Sequence, residues 1–388
     1  MSTKKFLYFL AALSFSVVSE RAFAQAPMFH AAEFSRTNIN TEALATSTAT
    51  PAMGATATCS ANVKGYGAIG NGSADDTNAI QAAISANPGG NICFPSGVYQ
   101  ISKCLLIPSL TTLTGSGSVN HGWATTGIYN TVLRLISAGT TACMVMPSNI
   151  TDGNYQKFSL RDMTFDGGAG DGGYVSAGGA YLDLQNTYDM TELSNIMVSN
   201  YLNAPAIRIG PGLAGIGTGP IMKLDHIWVD GYTQATSLGA GNGFNNQVGL
   251  EIDNYYSSTS HTGWVNGGVI SNFEVIGTGT APGVHVKSTS NGGSVRWFVF
   301  EGLTVFGLAN ASTPAVQIDG MANSTFRDTF VGLPSGGTAF LLKNAAGDAS
   351  NSNLLFEGIY GDGANITYLN NQAKGVVLTA PVSTYMAH

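Results

Sequence analysis

One short phrase recurs seven times between residues 158 and 360. It consists of an apolar residue, two polar or small residues, and then mostly alternating apolar positions. The copies begin at Leu160, Leu193, Leu224, Ile270, Phe300, Phe326 and Phe356. Successive copies start mostly ~26 to 33 residues apart, with one longer interval, and a period of this size is typical of a stacked solenoid. Each copy is therefore predicted to form two short strands that are bent at a small or polar residue.

A second element follows each copy, usually ~13 to 25 residues later, and it alternates with period two. These elements begin at Tyr181, Ala206, Gly249, Gly283, Ala315, Ala339 and Gly375. No helical pattern intervenes, so each strand is expected to pair with the same strand of the next repeat. The sequence predicts an all-β fold, a right-handed parallel β-helix solenoid.

The composition supports this fold. Charged residues make up 10% of the chain, against about 25% in typical soluble proteins. There are 50 glycines in 388 residues, nearly double the usual share of about 7%. Stacked coils bury one face of every strand and need glycine at tight corners, so both deviations follow. A β-sandwich would instead show turn signals about every 8 to 12 residues without a long period.

The amino terminus predicts export. Lys4 and Lys5 precede an apolar run at residues 6–18, and small residues at 22–24 suit signal-peptide cleavage. The run is shorter than the ~20 residues that a membrane-spanning helix needs. We predict a signal peptide at residues 1–24 with cleavage near Ala24, a flexible leader at 25–57, and a β-helix domain at 58–388. The mature protein is expected to be periplasmic or secreted and to have no membrane contact.

The net charge limits the kinds of partner that the protein can bind. The net charge is −7, and cleavage of the signal peptide, which carries three basic and one acidic residue, takes it to about −9. An acidic chain without a basic tract is not expected to bind nucleic acid.

The four cysteines are Cys59, Cys93, Cys104 and Cys143. In an oxidising compartment they predict disulfides with three connectivities, and buried free thiols are the alternative. We expect Cys93 to pair with Cys104, or these two to pair with Cys59 and Cys143.

The start of the predicted domain carries a recognisable series of motifs. Residues 66–68 read Tyr-Gly-Ala, and 71–72 read Asn-Gly, where Asp is also common. Residues 75–77 read Asp-Asp-Thr, an apolar helical stripe follows at 79–84, and Phe-Pro-Ser-Gly-Val-Tyr begins at residue 94. Over residues 61–117 this series resembles the opening of the pectate-lyase-like superfamily of secreted and phage β-helix proteins. The resemblance implies a carbohydrate partner, since superfamily members mostly act on polysaccharides as lyases, hydrolases, epimerases or depolymerases. The motifs of its polygalacturonase subgroup are absent.

The same motifs predict a cap for the first coil. A β-helix leaves its first coil open, with unpaired strand edges and an exposed core. Asp75, Asp76 and Thr77 are good N-cap residues for a short helix near residues 76–86, whose apolar stripe can cover that core. The two aspartates are therefore expected to be structural rather than a catalytic pair.

The outward residues of the second element form the candidate site, because equivalent residues of neighbouring rungs lie ~4.8 Å apart. One column contains Asp183, Arg208, Glu251, His285 and Gln317. A second column, two residues further on, contains Gln185, Gly210, Asp253, Lys287, Asp319 and Lys343. The long connections around Glu251 and Asp253 carry aromatic residues that can line a site. The substrate-binding candidates are Tyr255, Trp264, Trp228 and Gln317. A purely structural ladder of opposite charges is the alternative, and Asp225, Glu274 and Glu301 on the first element form a second-ranked strip.

Two reactions fit the first strip. A hydrolase needs two carboxylates, for which Glu251 with Asp183 or Asp253 are candidates. A lyase needs a base beside a uronic acid carboxylate and a cation to neutralise that carboxylate. For this reaction Glu251 or His285 would handle the proton, and Arg208 or Lys287 would stabilise the charge. A lyase is the favoured interpretation, by analogy with the superfamily, and a non-catalytic carbohydrate-binding protein is the alternative from another class. No cofactor is predicted, and a Ca²⁺ ion bound by Asp183, Glu251 or Asp253 is the open alternative.

Overall fold

The computed structural model describes residues 58–118, 130–148, 157–169, 172–185, 187, 190–210, 222–233, 243–244, 246–254, 265–288, 295–343, 351–372 and 384–386. The predicted signal peptide and leader lie outside the described residues, as does the second element predicted at residue 375. No helix within the described ranges is long and apolar enough to cross a membrane.

The regular secondary structure of the described residues is almost all β-strand. A 3₁₀ helix spans Val63–Tyr66, and the α-helix α1 spans Thr77–Ala86. The strands, in chain order, are β1 (Ala61–Asn62), β2 (Asn71–Asp75), β3 (Asn91–Cys93), β4 (Gly97–Ile101), β5 (Leu105–Ile107), β6 (Thr112–Thr114), β7 (Thr131–Leu135), β8 (Val145–Pro147), β9 (Ser159–Asp166), β10 (Leu182–Gln185), β11 (Glu192–Ser199), β12 (Ile207–Gly210), β13 (Met222–Asp230), β14 (Tyr232–Thr233), β15 (Gly243–Phe244), β16 (Leu250–Asp253), β17 (Val265–Gly279), β18 (Val284–Lys287), β19 (Val295–Glu301), β20 (Thr304–Leu308), β21 (Val316–Asp319), β22 (Ala322–Gly332), β23 (Thr338–Lys343), β24 (Ser352–Asp362), β25 (Thr367–Asn371) and β26 (Thr384–Met386).

These strands form two long parallel sheets. The larger sheet has the path β1-β3-β6-β9-β11-β13-β17-β19-β22-β24-β26, with β2, β4, β7 and β20 beside it. The smaller sheet has the order β25-β23-β21-β18-β16-β12-β10-β8-β5. From β9 onward the chain passes back and forth between the two sheets, whose strands pair in parallel with their equivalents in the next repeat. The strands β14 and β15 form a separate antiparallel pair. The predicted parallel β-helix is thus confirmed.

The strands of the larger sheet bend where the repeat predicts. The third residue of every copy of the phrase has a positive φ, between 50° and 68°. These residues are Asp162, Asn195, His226, Asn272, Gly302, Asp328 and Gly358. Glycine, asparagine and aspartate enter this left-handed region at the lowest cost, which explains why the phrase keeps small or polar residues there. His226 occupies the same corner.

The core fills the inside of the coil. Equivalent inward residues of the smaller sheet, such as Leu182, Ile207 and Leu250, are in register and fully buried. In the larger sheet Phe326 stacks between two rings, with centroid distances of 4.4 Å to Phe300 and 5.4 Å to Phe356. In the last three copies, the first apolar position of the phrase therefore builds a column of stacked aromatic rings, which we call the aromatic column.

Helix α1 caps the first coil, as predicted. Its Ile80, Ala83 and Ile84 are fully buried in the core. The carboxylate of Asp75 accepts hydrogen bonds from the Thr77 amide at 3.0 Å and from Ser102 Oγ at 2.6 Å. Asp76 occupies the N-cap position, but its side chain makes no bond to the helix. Its carboxylate instead accepts hydrogen bonds from the backbone amides of Ile69 and Gly70, at 2.7 and 3.0 Å. These bonds fix the turn that precedes the helix.

Both disulfides lie in this first part of the domain. Cys59 pairs with Cys93, and Cys104 pairs with Cys143. The predicted alternative in which Cys93 and Cys104 are joined to the outer two cysteines is confirmed, and a Cys93–Cys104 bond is wrong. The physical reason is that each bond joins stacked rungs: Cys59 and Cys93 lie at the paired strands β1 and β3, and Cys104 and Cys143 lie just before the paired strands β5 and β8, whereas β3 and β5 belong to different sheets. The two disulfides are consistent with folding in an oxidising compartment.

Replacing Cys104 and Cys143 together by alanine is expected to lower the free energy of unfolding. The bond closes a segment with a sequence separation of 39 residues, and loss of such a constraint on the unfolded chain corresponds to roughly 3 to 4 kcal/mol. Urea unfolding followed by circular dichroism measures the change. A reducing agent should destabilise the wild type more than the double variant, and an equal effect on both would contradict this role for the bond.

Candidate functional site

The smaller sheet aligns the predicted candidates in two columns. Asp183 pairs in register with Arg208, Arg208 with Glu251, Glu251 with His285, and His285 with Gln317. In the second column Asp253 pairs with Lys287, Lys287 with Asp319, and Asp319 with Lys343. We call the residues of these two columns, on β10, β12, β16, β18, β21 and β23, the charged strip. The structure thus brings together all six predicted catalytic candidates and Gln317.

At one end of the charged strip lies a buried ion pair. Arg208 donates from Nε to Asp183 Oδ1 at 3.1 Å and from Nη2 to Oδ2 at 2.6 Å. Gln185 Nε2 also donates to Asp183 Oδ2, at 2.7 Å, and Arg208 Nη1 donates to the carbonyl of Gly178 at 2.8 Å. Burial raises the pKa of Asp183, which is 2% exposed, and the charge of Arg208 opposes that shift. This end of the strip has the contacts of a structural ladder.

The centre of the strip is more open. Lys287 Nζ contacts Glu251 Oε2, and these two residues lie on neighbouring strands. The Lys287 side chain is 37% exposed, while that of Glu251 is largely buried. A carboxylate beneath an accessible ammonium group holds the lysine in place without covering it. The pair therefore leaves the ammonium group of Lys287 partly accessible at the surface of the strip.

His285 lies beside this pair and is held by a carboxylate. Its Nε2 is 2.8 Å from Oδ2 of Asp319. Gln317 Nε2 donates to both oxygens of Asp319, at 3.1 and 2.8 Å. Burial raises the pKa of Asp319, but the hydrogen bonds from His285 and Gln317 outweigh it and lower the pKa below its ordinary value. Asp319 was not among the predicted catalytic residues, although its position two residues after Gln317 placed it in the second column.

The remaining candidates lie elsewhere. Trp228 is on β13 of the larger sheet, so the structure does not bring it to the charged strip. Tyr255 and Trp264 lie outside the described residues.

In the second-ranked strip, hydrogen bonds from Ser271 and Asn272 lower the pKa of Asp225 despite partial burial. Glu274 differs, because burial and then the charge of Asp230 raise its pKa.

Two of the carboxylates named for a Ca²⁺ ion, those of Asp183 and Glu251, already contact cations. Among the described residues, no group of three or more His, Cys, Asp and Glu side chains is suited to hold one. A Ca²⁺ ion at Asp183 or Glu251 would have to displace Arg208 or Lys287 from these carboxylates.

Comparisons with known proteins agree with the opening motifs. The family described as "Rhamnogalacturonase A/epimerase, pectate lyase-like" matches residues 60–130. The mannuronan C5-epimerases AlgE1 and AlgE4 of Azotobacter vinelandii are 33% and 32% identical over 116 residues, covering 27% of this chain and 8% and 19% of theirs. The pre-neck appendage protein of Bacillus phage phi29 is 34% identical over 107 residues, covering 27% of this chain and 11% of that protein. The chain thus matches less than a fifth of the length of these relatives.

The fold as a whole has a similar solved structure. ORF18 of Geobacillus virus E2 superimposes with a TM-score of 0.50 at 14% identity, covering 84% of this chain and 61% of that one. A capped coil of parallel rungs with a polar strip on its smaller sheet defines a parallel β-helix protein. Over residues 60–130 the chain is similar to the pectate-lyase-like family, and the superposition shows the fold.

Proposed function

We propose that this chain is an exported enzyme that acts on an acidic polysaccharide. It removes the proton from the carbon beside a uronic acid carboxylate and then eliminates the neighbouring glycosidic oxygen, which makes it a polysaccharide lyase. The observation that carries the proposal is the placement of His285, held by Asp319, next to the accessible Lys287. The predicted signal peptide and the two disulfides support export.

His285 is the proposed base. Because the ionised Asp319 accepts a hydrogen bond from Nε2, the neutral imidazole keeps its proton there and leaves Nδ1 to accept one. The carboxylate also stabilises the imidazolium that forms when the proton is taken. Gln317 holds both oxygens of Asp319, so the ring orientation is fixed before substrate binds.

Lys287 is the proposed electrostatic partner. It lies two residues after His285 on β18, so both side chains leave the same face of the strand. Its ammonium group neutralises the negative charge that develops on the substrate carboxylate when the proton leaves. The electron pair of the broken C–H bond then forms a C=C bond as the C–O bond to the leaving sugar breaks. The proton held by His285 returns to that oxygen.

The relatives support this class of chemistry. AlgE1 and AlgE4 are mannuronan C5-epimerases by name, and inversion at C5 of a uronic acid also begins with loss of the proton beside the carboxylate. Epimerisation without chain cleavage is therefore the second candidate function. A hydrolase on the same strip receives less support, because two carboxylates would have to face the substrate. Asp183 is buried against Arg208, and Glu251 contacts Lys287.

Incubation with polymannuronate, polygalacturonate and glucuronan in D₂O tests the proposal. A lyase is expected to shorten the chains and to produce an unsaturated uronide that absorbs ultraviolet light. An epimerase would incorporate deuterium beside the carboxylate without shortening the chains. New reducing ends without either signal would contradict the proposal in favour of a hydrolase. Binding without any chemical change would contradict it in favour of a carbohydrate-binding protein.

A further inference from the structure

An exposed tryptophan occupies a backbone conformation that does not suit it. Trp297 in β19 has φ 64° and is 49% exposed. The equivalent residues of the stacked rungs are Gly267, Asn323 and Asn353, with φ between 44° and 50°. Glycine and asparagine enter this left-handed region readily, whereas a bulky side chain there is strained. Asn353 Nδ2 donates to Asn323 Oδ1 at 2.9 Å, and this ladder ends at Trp297 on the next rung. Asparagine at position 297 would therefore suit the backbone of the fold better than tryptophan does.

One face of the indole is covered by a cation. The Arg296 guanidinium carbon lies 4.4 Å from the centroid of the Trp297 ring. The guanidinium group of Arg296 is itself held in place by the neighbouring strand β17, because its Nε donates a hydrogen bond to Oδ1 of Asn266 at 2.8 Å. The indole is thus held in one orientation by a cation–π contact, while about half of the residue stays in contact with solvent.

Among the described residues, no acid forms an ion pair with Arg296. The four other arginines of the described ranges each form an ion pair with a carboxylate; they are Arg134, Arg161, Arg208 and Arg327. Within the same ranges Arg296 makes no such pair, and its bond to Asn266 is to a neutral amide oxygen. In a chain with a net charge of −7, a fixed arginine of this kind is suited to receive an anion from outside.

We propose that Trp297 and Arg296 form a binding platform for a uronic acid residue of the polysaccharide. The apolar face of one sugar ring stacks on the open face of the indole, and the guanidinium group, which lies on the opposite face, binds the carboxylate of a neighbouring sugar of the same polysaccharide at the edge of the indole. The platform follows β18, which carries His285 and Lys287, by one connection along the chain. It is a binding site on the larger sheet and takes no part in the chemistry. The nature of the ligand rests on the proposed function, but its binding does not depend on catalysis.

Replacing Trp297 by asparagine separates binding from folding. Equilibrium binding of a tri- or tetrauronate, measured by isothermal titration calorimetry, is expected to weaken roughly five- to tenfold, because a stacking contact is lost. The melting temperature is expected to stay the same or rise, since asparagine suits the left-handed backbone and extends the Asn323–Asn353 ladder. Trp297→Phe should retain most of the binding.

A carboxyl-reduced oligosaccharide of the same sugar tests the role of the arginine. Arg296→Gln is expected to weaken binding of the uronate while leaving binding of the reduced sugar unchanged. Unaltered uronate binding by both Trp297→Asn and Arg296→Gln would overturn the platform, as would a marked fall in melting temperature for Trp297→Asn with normal binding. If the wild type binds uronate through Trp297 but neither cleaves the polymer nor incorporates deuterium into it, the proposed function fails and the binding platform stands.

Discussion

His285→Ala is expected to slow formation of the unsaturated uronide by ~10²-fold or more, the usual contribution of a positioned base. Without the imidazole, neither Lys287 nor Asp319 is placed to take a proton from a carbon atom. The rate is measured as ultraviolet absorbance with the polymer that gives the largest wild-type signal. If that polymer is epimerised instead of cleaved, deuterium incorporation is measured, and the same loss is expected.

Two further variants show whether the loss is specific. His226, whose side chain is 68% exposed at a corner of the larger sheet, provides the matched control, and His226→Ala should keep the wild-type rate. Asp319→Asn should lower the rate less than His285→Ala and shift its pH profile, because the carboxylate that stabilises the imidazolium is gone. Full activity of His285→Ala would contradict the assignment of the base. Loss of activity on changing Asp225 or Glu274 instead would place the site on the larger sheet.

The fold could be predicted because each repeat carries a complete set of local instructions. Asp162, Asn195 and Asn272 mark the corner because only a few residue types tolerate its positive φ. Apolar residues such as Leu182 and Ile207 recur with period two because one face of each rung is buried. The pairing of the four cysteines could be predicted less well from the sequence. Cys93 and Cys104 are close in the chain, but their partners depend on how neighbouring coils are stacked.

The columns of the charged strip followed from the register, but the side-chain contacts did not. Glu251 is directly opposite His285, yet it contacts Lys287, which lies diagonally across from it. His285 likewise contacts Asp319 instead of the directly opposite Gln317. Long side chains reach both the direct and the diagonal neighbour on a sheet, so register alone leaves the pairing open. Burial was also missed, because an outward position is expected to be solvated and Asp183 is not.

Phe326→Ala is expected to cause a large loss of stability. Its ring lies inside the coil between Phe300 and Phe356, nearly parallel to both, with interplanar angles of 9° and 8°. Phe340 meets it edge-on at a centroid distance of 5.1 Å. Truncation would leave a cavity lined by three aromatic rings that are held in place by the stacked strands. A buried Phe→Ala change of this kind typically lowers the free energy of unfolding by about 3 to 5 kcal/mol.

Phe330 provides the matched control on the same strand. It lies four residues further along β22, on the outside of the coil, and is 38% exposed. Phe330→Ala is expected to change stability by about 0.5 kcal/mol or less, as for most surface substitutions. Urea unfolding followed by both circular dichroism and fluorescence measures the two variants and shows whether the coil unfolds in one step. Equal losses for Phe326→Ala and Phe330→Ala would mean that the aromatic column is not what holds these rungs together.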